Sequence, residues 1–343
     1  MASAPSCEDV TLARAAAALP LEDAVATDPD LFRRLATADW STGVVEEGGQ
    51  FHRVLVLPGI GAVRMARTAE AADRLPVRTA LVQALAATAE LPFALPVPLT
   101  EVTVGPDGRA AVVQEYLPGQ AHPPHQGDPA VLCRVCEVLR NIETAPLEPY
   151  LAPPFAFRGP WTPDKVSAVQ TLPDRLRSVH GEDVWPDADF AETVRRLTEA
   201  VVRWTEDPVV PPSLVHGDLA GHNMRWEPVD LAAVGRRSPA MAGSTGWQLT
   251  GILDWDLATV WDPALNPAYL CLWHGEDLVD DVARDRFEAQ RARVWLGAMA
   301  LELLYDASLR EGTHHPANWT KLLRKVLPRL DRADAALEEL TGS

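Results

Sequence analysis

Lysine is almost missing from this chain. Lys165, Lys321 and Lys325 are the only three in 343 residues, so a permanently charged side chain that meets phosphate in the first 164 residues would be an arginine, which holds its charge and binds oxyanions bidentately. Cysteine is scarce too: Cys7, Cys133, Cys136 and Cys271 are too few and too scattered for a disulfide framework. Cys133 and Cys136 form a CxxC inside a helical apolar pattern (Val131, Leu132, Val135, Val138, Leu139), with no second pair at ligand spacing, and read as packing rather than a metal or redox site. No run of 18 apolar residues exists, which argues against a membrane-spanning helix. Met1 to Cys7 carries no basic stretch followed by an apolar core, so no secretory signal and a cytoplasmic location are expected. Basic residues are outnumbered 31 to 48 and the net charge is −17. That balance opposes nucleic-acid binding, which needs basic groups to neutralise phosphate. It suits a cationic ligand and equally suits a plain acidic surface. No nucleic-acid or membrane partner is expected, and the oligomeric state is left as monomer or homodimer.

What the chain does have is length and apolar content, 47% hydrophobic, enough for one two-lobed unit or two domains. Its most informative stretch is His216-Gly217-Asp218-Leu219-Ala220-Gly221-His222-Asn223, followed later by Gly251-Ile252-Leu253-Asp254-Trp255-Asp256. An Asp and an Asn five apart, then a second Asp closing an apolar run, is what metal-nucleotide phosphoryl transfer needs. One carboxylate orients the attacking hydroxyl and accepts its proton; an amide oxygen and another carboxylate hold Mg²⁺ on the phosphates. Leu214 and Val215 read as a short buried strand, and the Gly217 turn places Asp218 in a loop. Met224-Arg225-Trp226 reads as a second strand, residues 228–246 as a long hairpin loop, and Trp247 to Leu253 as the returning strand. Pairing of those strands would give the geometry a shared metal requires. A surface turn with incidental Asp and Asn would need three independent elements to coincide.

On these motifs the chain resembles the aminoglycoside and macrolide phosphotransferase family, small-molecule kinases with a protein-kinase-like fold, from about residue 40 to about residue 310. The resemblance implies an α+β, bilobal protein-kinase-like fold with a β-rich N-lobe and a mainly helical C-lobe. N-terminal helices and the nucleotide-binding small lobe would occupy 1–117, and the large lobe with the catalytic loop and acceptor site 118–343. It implies Asp218 as the catalytic Asp, Asn223 and Asp254 as the metal ligands, and His216 and Gly217 as residues that shape the loop. It further implies Mg²⁺, ATP or GTP as co-substrate, and a hydroxyl acceptor on a small molecule.

The first half can be set against that implication. Gln50 to Leu57 alternates as a strand, Pro58-Gly59-Ile60-Gly61 signals a turn, and Ala62 to Arg67 follows as the next strand. Glu46-Glu47-Gly48-Gly49 can supply a flexible loop over the phosphates, although a glycine pair such as Gly48 and Gly49 also marks an ordinary turn. Where the family carries a strand Lys, this chain has Arg64, with Arg67 the fallback. Where the family carries a helix Glu to orient that cation, the helix reads as Pro76 to Thr88 and the matching residue is Ala80, with Glu70 and Asp73 as available substitutes. Ala110 to Gly119 resembles the hinge, where backbone groups of Glu115, Tyr116 and Leu117 would pair with the base; taken alone it reads as an edge strand and its turn.

Further along, residues 9–37 read as one or two helices. Other helices are expected at 129–145, 186–206, 265–274, 277–309 and 317–340, with a Pro-rich connector at 146–165. The family's second Asp after Asp262-Pro263 is Asn266 here, which can accept one hydrogen bond and donate another but lacks the charge. Asp256 reads as structural or substrate-facing. Trp273, His274, Glu276, Asp277, Asp280 and Asp281 form an acidic, aromatic segment that could receive an amino sugar, or is simply a solvated helix face. The resemblance favours an aminoglycoside or macrolide acceptor and hence antibiotic resistance. A metabolite kinase acting on choline, homoserine or a sugar-like acceptor is the alternative on the same fold. A non-catalytic nucleotide-binding scaffold is the other; Ala80 and Asn266 favour it, and the joint presence of Asp218, Asn223 and Asp254 opposes it.

Overall fold

The structure, a computed structural model, describes residues 2–47, 49, 51–105, 107–121, 127–154, 157, 159–180, 189–229, 241, 243–244, 246–311, 314 and 317–342. In chain order its elements are β1 (Ala2–Ser3), α1 (Cys7–Ala17), α2 (Glu22–Thr27), α3 (Leu31–Thr37), β2 (Val44–Glu46), β3 (His52–Leu57), β4 (Gly61–Ala66), α4 (Ala69–Thr88), β5 (Thr103–Val104), β6 (Ala110–Gln114), α5 (Pro129–Arg140), α6 (Pro163–Gln170), α7 (Leu172–His180), α8 (Phe190–Glu206), β7 (Ser213–Val215), β8 (Met224–Pro228), β9 (Trp247–Ile252), β10 (Thr259–Trp261), α9 (Leu265–His274), α10 (Val279–Val282), α11 (Arg286–Leu309) and α12 (Trp319–Thr341). They fall into two units. The first comprises Met1–His122, Ala145–Leu151 and His222–Asp256, and the second Pro123–Thr144, Ala152–Gly221 and Leu257–Ser343. The α+β class expected from the sequence is the class found: the first unit is built on a sheet and the second mainly of helices.

The first unit is an antiparallel sheet in the order β1-β2-β3-β4-β6-β5. Pleat alternation sends successive side chains to opposite faces. Val63 and Met65 of β4, with Ala111 and Val113 of β6, pack beneath α1, α3 and Trp40. Ala66, Ala110 and Val112 face α4 with Ala71 and Leu75. Cover on both faces is why β6 reads as an unbroken apolar run. Ser6 and Asp9 close a capping box at the start of α1. Asp9 is fully buried, and its Oδ1 accepts from Arg53 at 3.1 Å and Arg109 at 3.3 Å, tying α1 to β3 and to the turn before β6. This unit also contains the antiparallel β8–β9 hairpin, with a register shift between Arg225 and Trp226.

In the second unit β7 and β10 form a two-stranded antiparallel pair. α11 is buried nearly all round, and Gly297 admits α12, since a Cβ there would lie 2.4 Å from the Ala333 Cβ. Trp295 of α11 packs on Trp261 and Trp204, with ring centroids 4.7 and 5.6 Å away. Its Nε1 donates to Asp262 at 2.8 Å, and Arg291 donates to both oxygens of the same carboxylate at 3.2 Å.

Helix boundaries differ from expectation where caps override pattern. Residues 9–37 lie in three helices, not one or two. α4 starts at Ala69, where Thr68 caps the amide of Ala71 at 3.2 Å, and not at Pro76, which sits two turns inside and removes one helical N–H. The helix expected over 277–309 is broken at Ala283, and α11 restarts behind Asp285, which accepts from the Glu288 amide at 2.8 Å. α6 and α7 were not anticipated from the sequence; the Thr162-Pro163 start of α6 was its available signal. The expected loop at 228–246 falls mostly on residues 230–240, 242 and 245, outside the described residues.

Asp262→Ala is expected to destabilise the protein by about 3–5 kcal/mol, because it leaves the buried Arg291 guanidinium without a counter-charge. A urea-unfolding midpoint followed by tryptophan fluorescence measures this, and an unchanged midpoint would refute it.

Candidate active site

The β8–β9 hairpin sets the first pair of expected site residues side by side. Met224 pairs with Ile252, and the Leu253 amide donates to the Asn223 carbonyl at 2.7 Å, so Asn223 and Asp254 adjoin at the hairpin end. Asp254 has φ +59°, the one positive φ outside glycine among the described residues. Such a backbone persists only where its surroundings over-determine it. Here the next residue, Trp255, is buried and its Nε1 donates to the Ile252 carbonyl at 3.1 Å. The Asp254 side chain is 49% exposed, whereas Asn223 is buried.

Arg64 lies on the α4 face of β4, opposite in the pleat to Val63 and Met65, and is almost fully buried. Its Nη2 lies 3.2 Å from Asp254 Oδ1, 2.5 Å from Asp256 Oδ2 and 3.0 Å from His52 Nδ1. Burial alone would lower the Arg64 pKa, but Asp256 and then Asp254 outweigh it and leave the guanidinium above its ordinary value. Burial would likewise raise Asp256; the Arg64 charge and hydrogen bond, helped by His52 and Arg78, hold its carboxyl below the usual range. Burial and then Arg64 push His52 down to about 4, so the imidazole is neutral at pH 7. Because a guanidinium only donates, Nδ1 is the unprotonated, accepting nitrogen.

The acid expected on the helix is not on the helix. Ala80 holds that position, Glu70 pairs with Arg74 at 2.8 Å on the surface, and Asp73 is exposed. α4 instead carries Arg78, which donates to the Tyr150 carbonyl at 2.7 Å and whose charge acts on Asp256. The partner of Arg64 was therefore missed in the sequence. Its available signal was the Asp254-Trp255-Asp256 spacing, two acids separated by one buried aromatic. Arg67 holds the neighbouring chain, donating to the carbonyls of His52 and Glu47 at 3.2 and 3.1 Å and to the Glu47 carboxylate at 2.9 Å. Gly48 lies outside the described residues. At Gly49 a Cβ would come within 2.7 Å of the His52 carbonyl, so the close approach there requires glycine.

The expected hinge is joined to the same hairpin. A Cβ at Gly251 would meet Leu117 at 2.7 Å; Thr250 Oγ1 donates to the Pro118 carbonyl at 3.1 Å, and Gln120 and Trp226 exchange two backbone bonds of 2.9 Å. The Glu115 amide donates to Val97 at 2.8 Å, and the amides of Tyr116 and Leu117 enter no hydrogen bond among the described residues. Glu115 is pushed above its ordinary value by burial.

Asp218 belongs to the second unit, in the loop after β7. His216 is fully buried; its amide donates to Asn266 Oδ1 at 3.1 Å, Asn266 Nδ2 donates to the Leu214 carbonyl at 2.9 Å, and the Asp218 amide donates to His216 Nδ1 at 3.2 Å. Asn266 thus braces the loop with one bond accepted and one donated. Gly217 has φ +84°, and a Cβ would stand 2.4 Å from the Leu257 carbonyl. Burial and then the charges of Glu302 and Asp218 push the Tyr269 phenol well above its ordinary value.

Of the residues expected to face an acceptor, Asp256 is committed to Arg64. Trp273 packs on the Asp218 loop, since a Cβ at Gly221 would collide with its indole. His274 is buried against Gly127. Glu276 is held by Arg329 and Arg332, the latter at 2.6 Å, and these pairs keep its carboxyl below the usual range against burial. Asp277, Asp280 and Asp281 are exposed, and Asp280 pairs with Arg293 at 2.6 Å. Among the described residues no group of three or more His, Cys, Asp or Glu is disposed to hold a metal, and no helix is long and apolar enough to cross a membrane.

A model of the phosphotransferase enzyme family matches residues 45–301. The chain is similar to the viomycin phosphotransferase of Streptomyces vinaceus, 31% identical over 294 residues that cover 81% of this chain and 91% of that protein. In fold it is similar to the GDP complex of an aminoglycoside 2'-phosphotransferase variant, with a TM-score of 0.58 at 15% identity over 93% of this chain and 99% of the other. It is similar also to an aminoglycoside phosphotransferase bound to GDP and kanamycin, with a TM-score of 0.56 at 15% identity over 91% and 99%.

Gly217→Ala is expected to lower the melting temperature, by strain worth about 1–3 kcal/mol, because the methyl meets the Leu257 carbonyl and the backbone is left-handed. An unchanged melting curve would show that the loop yields.

Proposed function

The chain belongs to the phosphotransferase enzyme family, and we propose that it transfers the γ-phosphoryl group of ATP or GTP to a hydroxyl of a small antibiotic, of the viomycin or aminoglycoside kind. The observation that carries this reading is the hairpin end where Asn223 and Asp254 adjoin with Arg64 beside them. The donor set fits Mg²⁺. An amide oxygen and a half-exposed carboxylate are hard ligands, too few for a closed protein cage, and Mg²⁺ characteristically takes one or two such ligands and completes its shell with phosphate oxygens and water. When bound, the ion would neutralise charge on the phosphates.

The other steps fall to the chain's own residues. The amides of Tyr116 and Leu117 are available to the edge of the base. Gly49 lies against His52 of β3, and Arg64 supplies a fixed positive charge for phosphate oxygens. Asp218, braced through His216 and Asn266, orients the acceptor hydroxyl and takes its proton. The hydroxyl oxygen forms the new bond to the γ-phosphorus, the bond to the β–γ bridging oxygen breaks, and the nucleoside diphosphate leaves with that electron pair. Catalysis is then positioning and electrostatics. An acidic chain of net charge −17 favours approach of a positively charged acceptor. Among Asp256, Trp273, His274, Glu276 and Asp277, the commitments of Asp256 and Glu276 to arginines and the burial of His274 make Trp273 and Asp277 the better candidates for the acceptor.

The test is nucleoside triphosphate consumption with Mg²⁺, ATP and GTP separately, against viomycin, kanamycin, streptomycin, macrolides and small hydroxylated metabolites. Stimulation by one antibiotic class supports the proposal. Stimulation by a metabolite alone replaces the acceptor, and silence with no nucleotide binding refutes the reading. Asp218→Asn is expected to cut turnover by roughly 10²–10⁴-fold with Mg-nucleotide binding retained, and Asp254→Asn to lose Mg-dependent nucleotide binding. Calorimetric titration separates the two.

A further inference from the structure

Arg64 has two carboxylate partners in unlike surroundings. Asp254 is half exposed at the hairpin end. Asp256 is 19% exposed, its Oδ2 lies 2.5 Å from Arg64 and 3.6 Å from His52 Nδ1, and its buried Oδ1 has no hydrogen-bond partner among the described residues. The groups that face Asp256 are Arg64 from β4, His52 from β3 and, at longer range, Arg78 from α4. No acid of α4 takes part: Ala80 stands where one was expected, and Glu70 and Asp73 are at the surface.

We propose that Asp256 is the positioning residue for Arg64, holding the guanidinium at the nucleotide phosphates once a divalent ion has taken Asp254 from it. The inference rests on the phosphotransferase reading of the same site. Its physical basis is competition for one carboxylate. A divalent cation and a guanidinium repel each other, so an ion on Asp254 weakens the Arg64–Asp254 pair. A second carboxylate outside the metal's reach keeps the buried guanidinium compensated and in place. Without Asp256 the cation has only Asp254 left, and it competes with the metal directly. The acid that anchors the strand cation thus comes from the metal-binding segment, two residues past its ligand, and the helix carries an arginine instead.

The experiment is calorimetric binding of ADP, GDP and a non-hydrolysable ATP analogue across a Mg²⁺ series, with the free nucleoside as the phosphate-free control. Asp256→Asn is expected to weaken Mg-nucleotide binding about 10- to 100-fold, the size of a lost charged hydrogen bond, and to raise the Mg²⁺ needed for half-saturation. Nucleoside affinity should not change. Arg64→Gln is expected to weaken nucleotide binding without raising the Mg²⁺ requirement. In the Arg64→Gln background Asp256→Asn should alter binding by less than about twofold, since coupled residues are non-additive. Asp256→Glu, which keeps the charge, should lie closer to the parent than Asp256→Asn does, and it serves if the Asn variant does not fold. Unchanged nucleotide binding in Asp256→Asn, equal losses in both backgrounds, an equal loss of nucleoside affinity, or a Glu variant as weak as the Asn variant would each overturn the inference while leaving the phosphotransferase reading intact. A parent protein that binds none of the nucleotides overturns both.

Discussion

A guanidinium buried on the face of a strand must be met by negative charge, or its desolvation cost goes unanswered. Arg64 is such a group, and the first unit is arranged around it. Alternation on β4 turns it away from the α1–α3 core and toward α4. The β8–β9 hairpin ends beside it and delivers Asp254 and Asp256, two residues apart, to the same guanidinium. The strain of a left-handed Asp254 is held by the buried Trp255 between them. The same hairpin is stitched to residues 117–120, so the cation, the two acids and the expected hinge belong to one body.

The loop carrying Asp218 is organised differently. There the fixing element is a neutral amide: Asn266 joins the His216 amide to the Leu214 carbonyl from the first turn of α9. Its position depends in turn on Asp262, which caps the Ala264 amide at 2.9 Å and is clamped by Arg291 and Trp295 of α11. An uncharged residue suffices at the loop because the charge that locks α9 against α11 sits four residues earlier, on Asp262.

How far the site could be read depended on whether a residue acts within its own segment or through a partner elsewhere. Asp218, Asn223 and Asp254 stand out as candidates by spacing, because the proposed phosphoryl transfer needs such groups at loop and strand ends. Arg64 was legible through the family resemblance, which implies a cation on that strand, together with the lack of lysine before residue 165. Its partner was not, because the pairing of residues 64 and 256 joins β4 to the turn after β9, brought together across some 190 residues of chain. The acidic segment after Trp273 reads equally as a ligand rim or a solvated helix face, and composition alone does not reveal that Glu276 answers arginines on α12. Helix starts were misjudged where a cap (Thr68, Asp285) rather than a proline or an apolar period sets the boundary.

The sequence by itself determined the α+β class, the family, and the pairing of β8 with β9, because periodicity, turn residues and short polar motifs are local properties of the chain. Only the tertiary structure decided which carboxylate balances Arg64, that α4 brings a cation where an acid was expected, and that His52 stays neutral beside them. Those outcomes depend on burial and on distances of 2.5 to 3.6 Å between strand side chains and a carboxylate in the turn after β9, and neither quantity exists until those segments have packed.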